Sequence, residues 1–247
     1  MAGICVTIMA GGLGKRMNST LPKVLHKVNG IPMIVRTISN VLELNPHKIM
    51  IVVGKNKNEI KDVVSSQISF SNIEYVSQDE PLGTGHAIKC TLEHFTEHEN
   101  DMTNLILCGD TPLLTANTLK ELYAKNKGNE SLLQITAIQV DDPHGYGRVI
   151  MSNSGLCQII EEKDCTDDQR NVNIVNCSIY FIKVNLLKTL IPLIGNNNKN
   201  NEFYLTDIVQ FANDKVHVCV LDKSKRNETF NVNNPEQLLY ACNICKS

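Results

Sequence analysis

The sequence predicts an α/β fold on a mixed, mostly parallel central sheet flanked by helices, and three observations carry that expectation. In the first half, short apolar runs that end in glycine alternate with segments of helical periodicity. That alternation argues for a largely parallel sheet. From Leu133 the style changes, with strand candidates close together and few long helices between them, which adds a small β-rich lobe. A chain of 247 residues, 42% hydrophobic and 20% charged, has the length and composition for one continuous domain and not for a disordered segment.

Each element follows in order. Ile4–Met9 is an apolar run that stops at glycines, so it reads as a first strand and not as a signal peptide. Pro32 opens a helix in which Met33, Ile34, Ile38, Val41 and Leu42 recur near a 3.6 spacing. Lys48–Val53 is a strand that stops at Gly54, Ile73–Val76 a short strand, and Gly85–Phe95 a helix. Asn104–Cys108 is a strand broken by Gly109-Asp110, and Thr115–Lys125 a helix with Thr115 as its N-cap. Strands are expected over 133–140, 147–151, 156–161 and 174–182, a mobile Asn/Lys loop over 195–201, and helices over Phe203–Phe211 and Pro235–Ile244.

Composition excludes several function classes. With 24 basic and 26 acidic residues the net charge is −2, which argues against a broad nucleic-acid or polybasic membrane surface. No apolar run approaches the roughly 18 residues of a membrane span. Nine cysteines are scattered without disulfide-module spacing, as expected of reduced cytoplasmic thiols. Cys242-Asn-Ile-Cys245 is one isolated pair, half of what a zinc site needs.

The first chemical signal is Ala10-Gly11-Gly12-Leu13-Gly14-Lys15-Arg16-Met17, directly after the first strand. Glycines let successive backbone N–H groups face a phosphate, and Lys15 and Arg16 add positive charge. Two templates fail. A dinucleotide fingerprint needs glycine where Met17 stands, and a Walker A loop needs Ser or Thr where Arg16 stands. The loop is followed by Leu21-Pro22-Lys23-Val24-Leu25-His26, which sets a lysine on a proline-stiffened segment.

Together these residues resemble the G-x-G-[TS]-R-M…L-P-K signature of nucleotide-sugar pyrophosphorylases. Leu-Pro-Lys-Val-Leu-His is similar to the uridylyltransferase half of bacterial bifunctional N-acetylglucosamine-1-phosphate enzymes. The likeness continues in the family's order through Gln78-Asp-Glu-Pro-Leu-Gly83-Thr84-Gly85-His86-Ala87, Gly109-Asp110-Thr-Pro-Leu, Pro143-His-Gly-Tyr-Gly147-Arg148, and Ile159-Ile-Glu161-Glu-Lys163-Asp164. Val175-Asn176, Glu202-Phe-Tyr204-Leu-Thr206-Asp207 and Val232-Asn233 complete it. One such match is chance; the ordered set is not.

The resemblance implies a Rossmann-like nucleotide-diphospho-sugar transferase fold, with a nucleotide half over about 1–130, a sugar half over about 131–234 and a final helix at 235–247. It implies attack of a sugar 1-phosphate on the α-phosphorus of UTP with release of pyrophosphate. N-acetylglucosamine 1-phosphate is the favoured acceptor, and glucose 1-phosphate with UTP or dTTP the runner-up. A silent nucleotide-sugar sensor stands as the alternative from another class. Arg16 and Lys23 would be the catalytic cations. Ala10, Gly11, Gly12, Gly14, Lys15, Gln78, Gly83 and Thr84 would hold the nucleotide. Gly147, Glu161, Asn176, Tyr204 and Thr206 would hold the sugar. Asp110 and Asn233 would ligate one Mg²⁺ through hard oxygens.

His86 reads as structural, since the reaction needs no general base. Lys15 departs from the family's Thr or Ser, Cys108 from a common Tyr, Ser178 from the Gly of N-T-G, and Asn231 from a Gly before Val-Asn. Hexapeptide repeats of an acetyltransferase domain are not found, so the expectation is uridylyl transfer alone, by a monomer or small homo-oligomer.

Overall fold

The computed structural model describes residues 3–128, 131–152 and 156–245. β1 (Ile4–Met9) leads through the Gly-rich loop to a small hairpin, β2 (Lys27–Val28) and β3 (Ile31–Pro32), and then to α1 (Met33–Leu42). β4 (Lys48–Val53), α2 (Lys57–Gln67), β5 (Ile73–Ser77), α3 (Thr84–Lys89), β6 (Thr103–Cys108) and α4 (Ala116–Lys127) follow. The second half contributes β7 (Leu133–Gln139), β8 (Arg148–Met151), β9 (Cys157–Ile160), a one-turn α5 (Asp167–Arg170) and the long β10 (Ile174–Lys183). It ends with α6 (Val184–Leu190), α7 (Ile208–Ala212), β11 (Val216–Leu221) and α8 (Pro235–Ile244).

The main sheet runs in the order β11-β7-β10-β6-β1-β4-β5, with β8 and β9 extending from β10. β1, β4, β5 and β6 are mutually parallel, and β10 lies antiparallel between β6 and β7. Strand residues alternate between two apolar layers. Ile49, Ile51 and Val53 share one with α1, α2 and α4, while Met50 and Val52 share the other with α3 and α6. Met9 pairs with both Val52 and Cys108, so the three central strands end level. The Gly-rich loop, Gly54 and Gly109-Asp110 therefore leave the sheet at one carboxyl edge, where open α/β sheets bind ligands.

Several expectations need correction. The helix expected over Gly85–Phe95 stops at Lys89, because the Thr91 hydroxyl donates to the Ile88 carbonyl at 2.7 Å and the chain tightens into a 3₁₀ turn at Leu92–His94. The helix expected from Phe203 begins later. Phe203 is extended, its N–H donating to Leu82 at 2.8 Å and its carbonyl accepting from Gly85 at 2.7 Å, and 3₁₀ residues Leu205–Asp207 precede α7. The Asn/Lys loop is tied down rather than loose. The Asn198 side chain bonds the backbone of Asn200 and Glu202, and the Lys199 N–H donates to Asp164. α2 was not anticipated, since Ile60 and Val64 alone are buried in it. Residues 246 and 247 of the expected last helix lie outside the described residues. Among the described residues no helix is long and apolar enough to cross a membrane.

Candidate active site

A cavity of about 430 Å³ opens at the carboxyl edge of the sheet. Ala10, Gly11, Gly12 and Lys15 of the loop, Lys23, Gln78, Gly83, Thr84 and Asp110 line it, together with Cys108 and Glu202. Gly14 caps the 3₁₀ turn Lys15–Met17, and that turn carries Arg16 toward the segment before α8. Burial, reinforced by the charge of Asp110, pushes the Cys108 thiol up to about 12, so it is a neutral wall and not a nucleophile.

Five charged or amide groups meet beside this cavity. Lys23 Nζ donates to Asp110 Oδ2 and, at 3.0 Å, to Asn233 Oδ1. Arg16 donates to the same Asn233 oxygen at 3.1 Å. The Val232 N–H donates to the Asp110 carbonyl at 2.9 Å, which brings the end of the chain back onto the end of β6. Asn231, read from sequence as a departure, donates its amide to Asp110 Oδ1 at 2.9 Å. No spacing or motif in so Asn-rich a chain signalled that bond.

The expected metal ligands are thus together, one carboxylate oxygen and one amide oxygen that share the Lys23 ammonium, with Arg16 also on the amide oxygen. Among the described residues no cluster of three or more His, Cys, Asp or Glu is placed to hold a metal. One carboxylate with one amide oxygen suits a hard ion that keeps waters and takes substrate phosphate oxygens. The residues present fit Mg²⁺ on those terms.

Gln78, 7% exposed, has both amide hydrogens engaged by the chain: Nε2 donates to the Gly83 carbonyl at 3.0 Å and lies 3.2 Å from His86 Nδ1. Only its oxygen remains for a ligand. His86 accordingly orients Gln78, in line with its structural reading. Gly83 has φ +117°, and a Cβ there would stand 2.5 Å from the Phe203 carbonyl, so only glycine fits. The Thr84 hydroxyl accepts the Leu205 N–H at 3.0 Å and thereby joins the two halves.

The five sugar candidates also come together, in a second group that the 202–206 segment links to the first. The Gly147 carbonyl accepts the Asn176 N–H at 2.9 Å, and a Cβ on Gly147 would stand 3.5 Å from either Glu161 carboxylate oxygen. Thr206 donates to Glu161 Oε1 at 3.0 Å. Glu161 and Tyr204 line a cavity of about 330 Å³ with Asp164 and Asp207. Burial pushes the Glu161 carboxyl up, against the Thr206 hydrogen bond and with help from the nearby acids. Burial and the charges of Asp164 and Glu161 push the Tyr204 phenol up to about 12. Asn176 differs from expectation. Its amide nitrogen donates to the Tyr180 hydroxyl at 2.7 Å and its oxygen accepts the Ser178 N–H at 3.1 Å, so both ends are engaged within the chain.

Comparison with known proteins places this geometry in context. A family profile described as nucleotidyl transferase matches residues 5–226. The chain is 46% identical over 246 residues, 98% of its own length and 96% of the other's, to a probable UDP-N-acetylglucosamine pyrophosphorylase of Acanthamoeba polyphaga mimivirus. It is 39% identical over 215 residues to the bifunctional protein GlmU of Thermoanaerobacter pseudethanolicus, spanning 87% of this chain but 45% of that one. The fold is similar to a putative glucose-1-phosphate thymidylyltransferase from Bacillus anthracis solved with sucrose, with TM-score 0.77, 16% identity and coverage of 99% and 96%. It is also similar to HddC from Yersinia pseudotuberculosis complexed with GMP-PN, with TM-score 0.68, 21% identity and coverage of 98% and 99%.

Proposed function

The chain belongs to the nucleotidyl transferase family, and from that premise we propose that it transfers UMP from UTP to N-acetylglucosamine 1-phosphate, giving UDP-N-acetylglucosamine and pyrophosphate. The observation that carries the reading is the meeting of Arg16, Lys23, Asp110 and Asn233 beside a glycine-walled cavity. Both reactants are polyanions, so the protein must align them and cover charge, and no covalent nucleophile is required.

The sugar phosphate oxygen forms a bond to the α-phosphorus as the α–β bridging bond breaks in line with it, and pyrophosphate carries away the electron pair. Lys23 neutralises the α-phosphate and the incoming phosphate, and Arg16 the departing pyrophosphate. Backbone N–H groups of Gly11, Gly12 and Gly14 cradle the triphosphate, with Ala10 and Lys15 completing that wall. Asp110 and Asn233 would hold Mg²⁺, which would supply electrostatic stabilisation of the phosphate charge. The Gln78 oxygen accepts a ring N–H, which uracil and thymine present and cytosine does not. Gly147, Glu161, Tyr204 and Thr206 form the sugar side, with Asn176 behind them, its N–H held by the Gly147 carbonyl. The curated bifunctional relatives are about twice the length of this chain, and only the uridylyl transfer is proposed for it. All nine cysteines are free thiols, which supports a cytoplasmic setting.

The test is a matrix of UTP, dTTP, CTP and GTP against several sugar 1-phosphates, read as pyrophosphate. N-acetylglucosamine 1-phosphate should exceed glucose 1-phosphate by about tenfold or more in kcat/KM, the value of about 1.4 kcal/mol of unmet polar and apolar contact. Asp110→Ala should lower turnover by about 10²–10³ or more, with Mg²⁺ saturating. Near-wild-type turnover in that variant would remove Asp110 from the site.

A further inference from the structure

Arg148 is the largest side chain in the fully buried set, 1% exposed, and the reaction proposed above gives it no role. A guanidinium this deep needs partners for its donors. One nitrogen donates to Glu162 Oε2 at 2.6 Å and another to the Tyr146 carbonyl. The Arg170 carbonyl, at the end of α5, lies 3.4 Å from two of its nitrogens. Glu162 Oε2 also accepts the Gly145 N–H at 3.0 Å. The carboxylate and guanidinium therefore close a loop through the backbone on both sides of the 145–148 turn.

The position of this pair is what gives it consequence. Arg148 is the chain neighbour of Gly147, and Glu162 is the chain neighbour of Glu161. Gly147 and Glu161 face each other closely enough that a Cβ on the glycine would meet Ile159 Cγ2 at 2.9 Å and the Glu161 oxygens at 3.5 Å. β8 and β9 meet here with Arg148 opposite Ile160, at the end of a two-strand flap that joins the rest of the sheet through β10. Without a tie, such a ribbon has one ladder to hold its register.

We propose that the Arg148–Glu162 pair is a positioning device that fixes Gly147 against Glu161 and so sets the affinity for the sugar phosphate, without touching the nucleotide. This inference rests on the reading of Gly147 and Glu161 as sugar contacts. The pair acts through its neighbours, so its signature is a change in KM for one substrate alone.

Glu162→Ala removes the acceptor shared by Arg148 and Gly145. It should raise KM for the sugar 1-phosphate about tenfold and leave KM for UTP within twofold. Glu162→Gln keeps an oxygen at the same reach and should recover most of the loss. Because Glu162→Ala also strands a buried charge, Arg148→Met/Glu162→Leu separates stability from positioning. Replacing both partners leaves no uncompensated buried charge, so this variant should lose less Tm than Glu162→Ala yet retain the raised sugar KM. Sugar KM that recovers along with Tm in the apolar pair, or KM values for both substrates that rise together, would overturn the proposal. A wild-type chain that releases no pyrophosphate with any sugar 1-phosphate would overturn the site reading and this inference with it.

Discussion

Ser178 shows what single residues decide in this protein. It stands at φ +56° within β10, where the ladder to β7 shifts register between Asn176 and Tyr180. A left-handed backbone at a non-glycine residue costs about 1–2 kcal/mol, part of which glycine returns through its freer unfolded chain. Ser178→Gly should therefore stabilise the fold by about 0.5–1 kcal/mol in urea unfolding, with the N–H bond to Asn176 intact. It should change kcat/KM for both sugar phosphates alike. A loss of stability would show that the serine hydroxymethyl group has a favourable contact outweighing its backbone. At this scale legibility was uneven. Lys23, Asp110 and Asn233 stood in motifs, and the chain does bring them together. The bonds that engage the ends of Asn176 are set by a bulge, and those of Gln78 come from Gly83 and His86 of its own motif, whose spacing does not state which atoms meet.

Elements were most legible where burial is two-sided, because an uninterrupted apolar run has one reading. β4 begins and ends where the apolar run does, and α8 is bounded by Pro235 and Ile244 as expected. α2 was missed because its buried face is two residues wide. β4 also conceals a charge. Its first residue, Lys48, is 3% exposed and donates to Glu99 Oε2 at 3.0 Å, while the Thr96 N–H and hydroxyl close on the same oxygen at 2.7 and 3.0 Å. Burial opposes the Glu99 charge, but the Thr96 and Lys48 bonds prevail and hold its carboxyl below the usual 4.5. A depressed carboxylate contributes stability in full above its unfolded pKa and loses it as pH falls through the folded one. Urea midpoints measured between pH 7 and 3 should decline on that limb, and Glu99→Gln should flatten it. Glu99→Ala, which leaves buried Lys48 only the more distant Glu74 carboxylate at 3.8 Å, should lower stability by about 3 kcal/mol. A change under 1 kcal/mol would mean that Lys48 finds water.

At the scale of the molecule, family and reaction were legible because ordered motifs survive where local patterns blur. How the halves meet was not, since strand order across a sheet has no local code. β10 lies antiparallel against β6, so the four sheet strands of the first half (β1, β4, β5 and β6) and the five of the second (β7 to β11) share one ladder at a single seam. The chain crosses that seam between α4 and β7 and returns once more at Val232, whose N–H reaches the Asp110 carbonyl. Cut between residues 128 and 131, each piece would present a bare inner edge of the sheet to solvent, the kind of edge that seeks another strand. The strand each lacks is carried by the other. Co-expressed pieces should recover pyrophosphate release that neither gives alone, and silence from the mixture would mean that the seam forms only within one continuous chain. Fused to two proteins that meet on a signal, the pieces would make nucleotide-sugar synthesis report an encounter, with the seam acting as a coincidence detector.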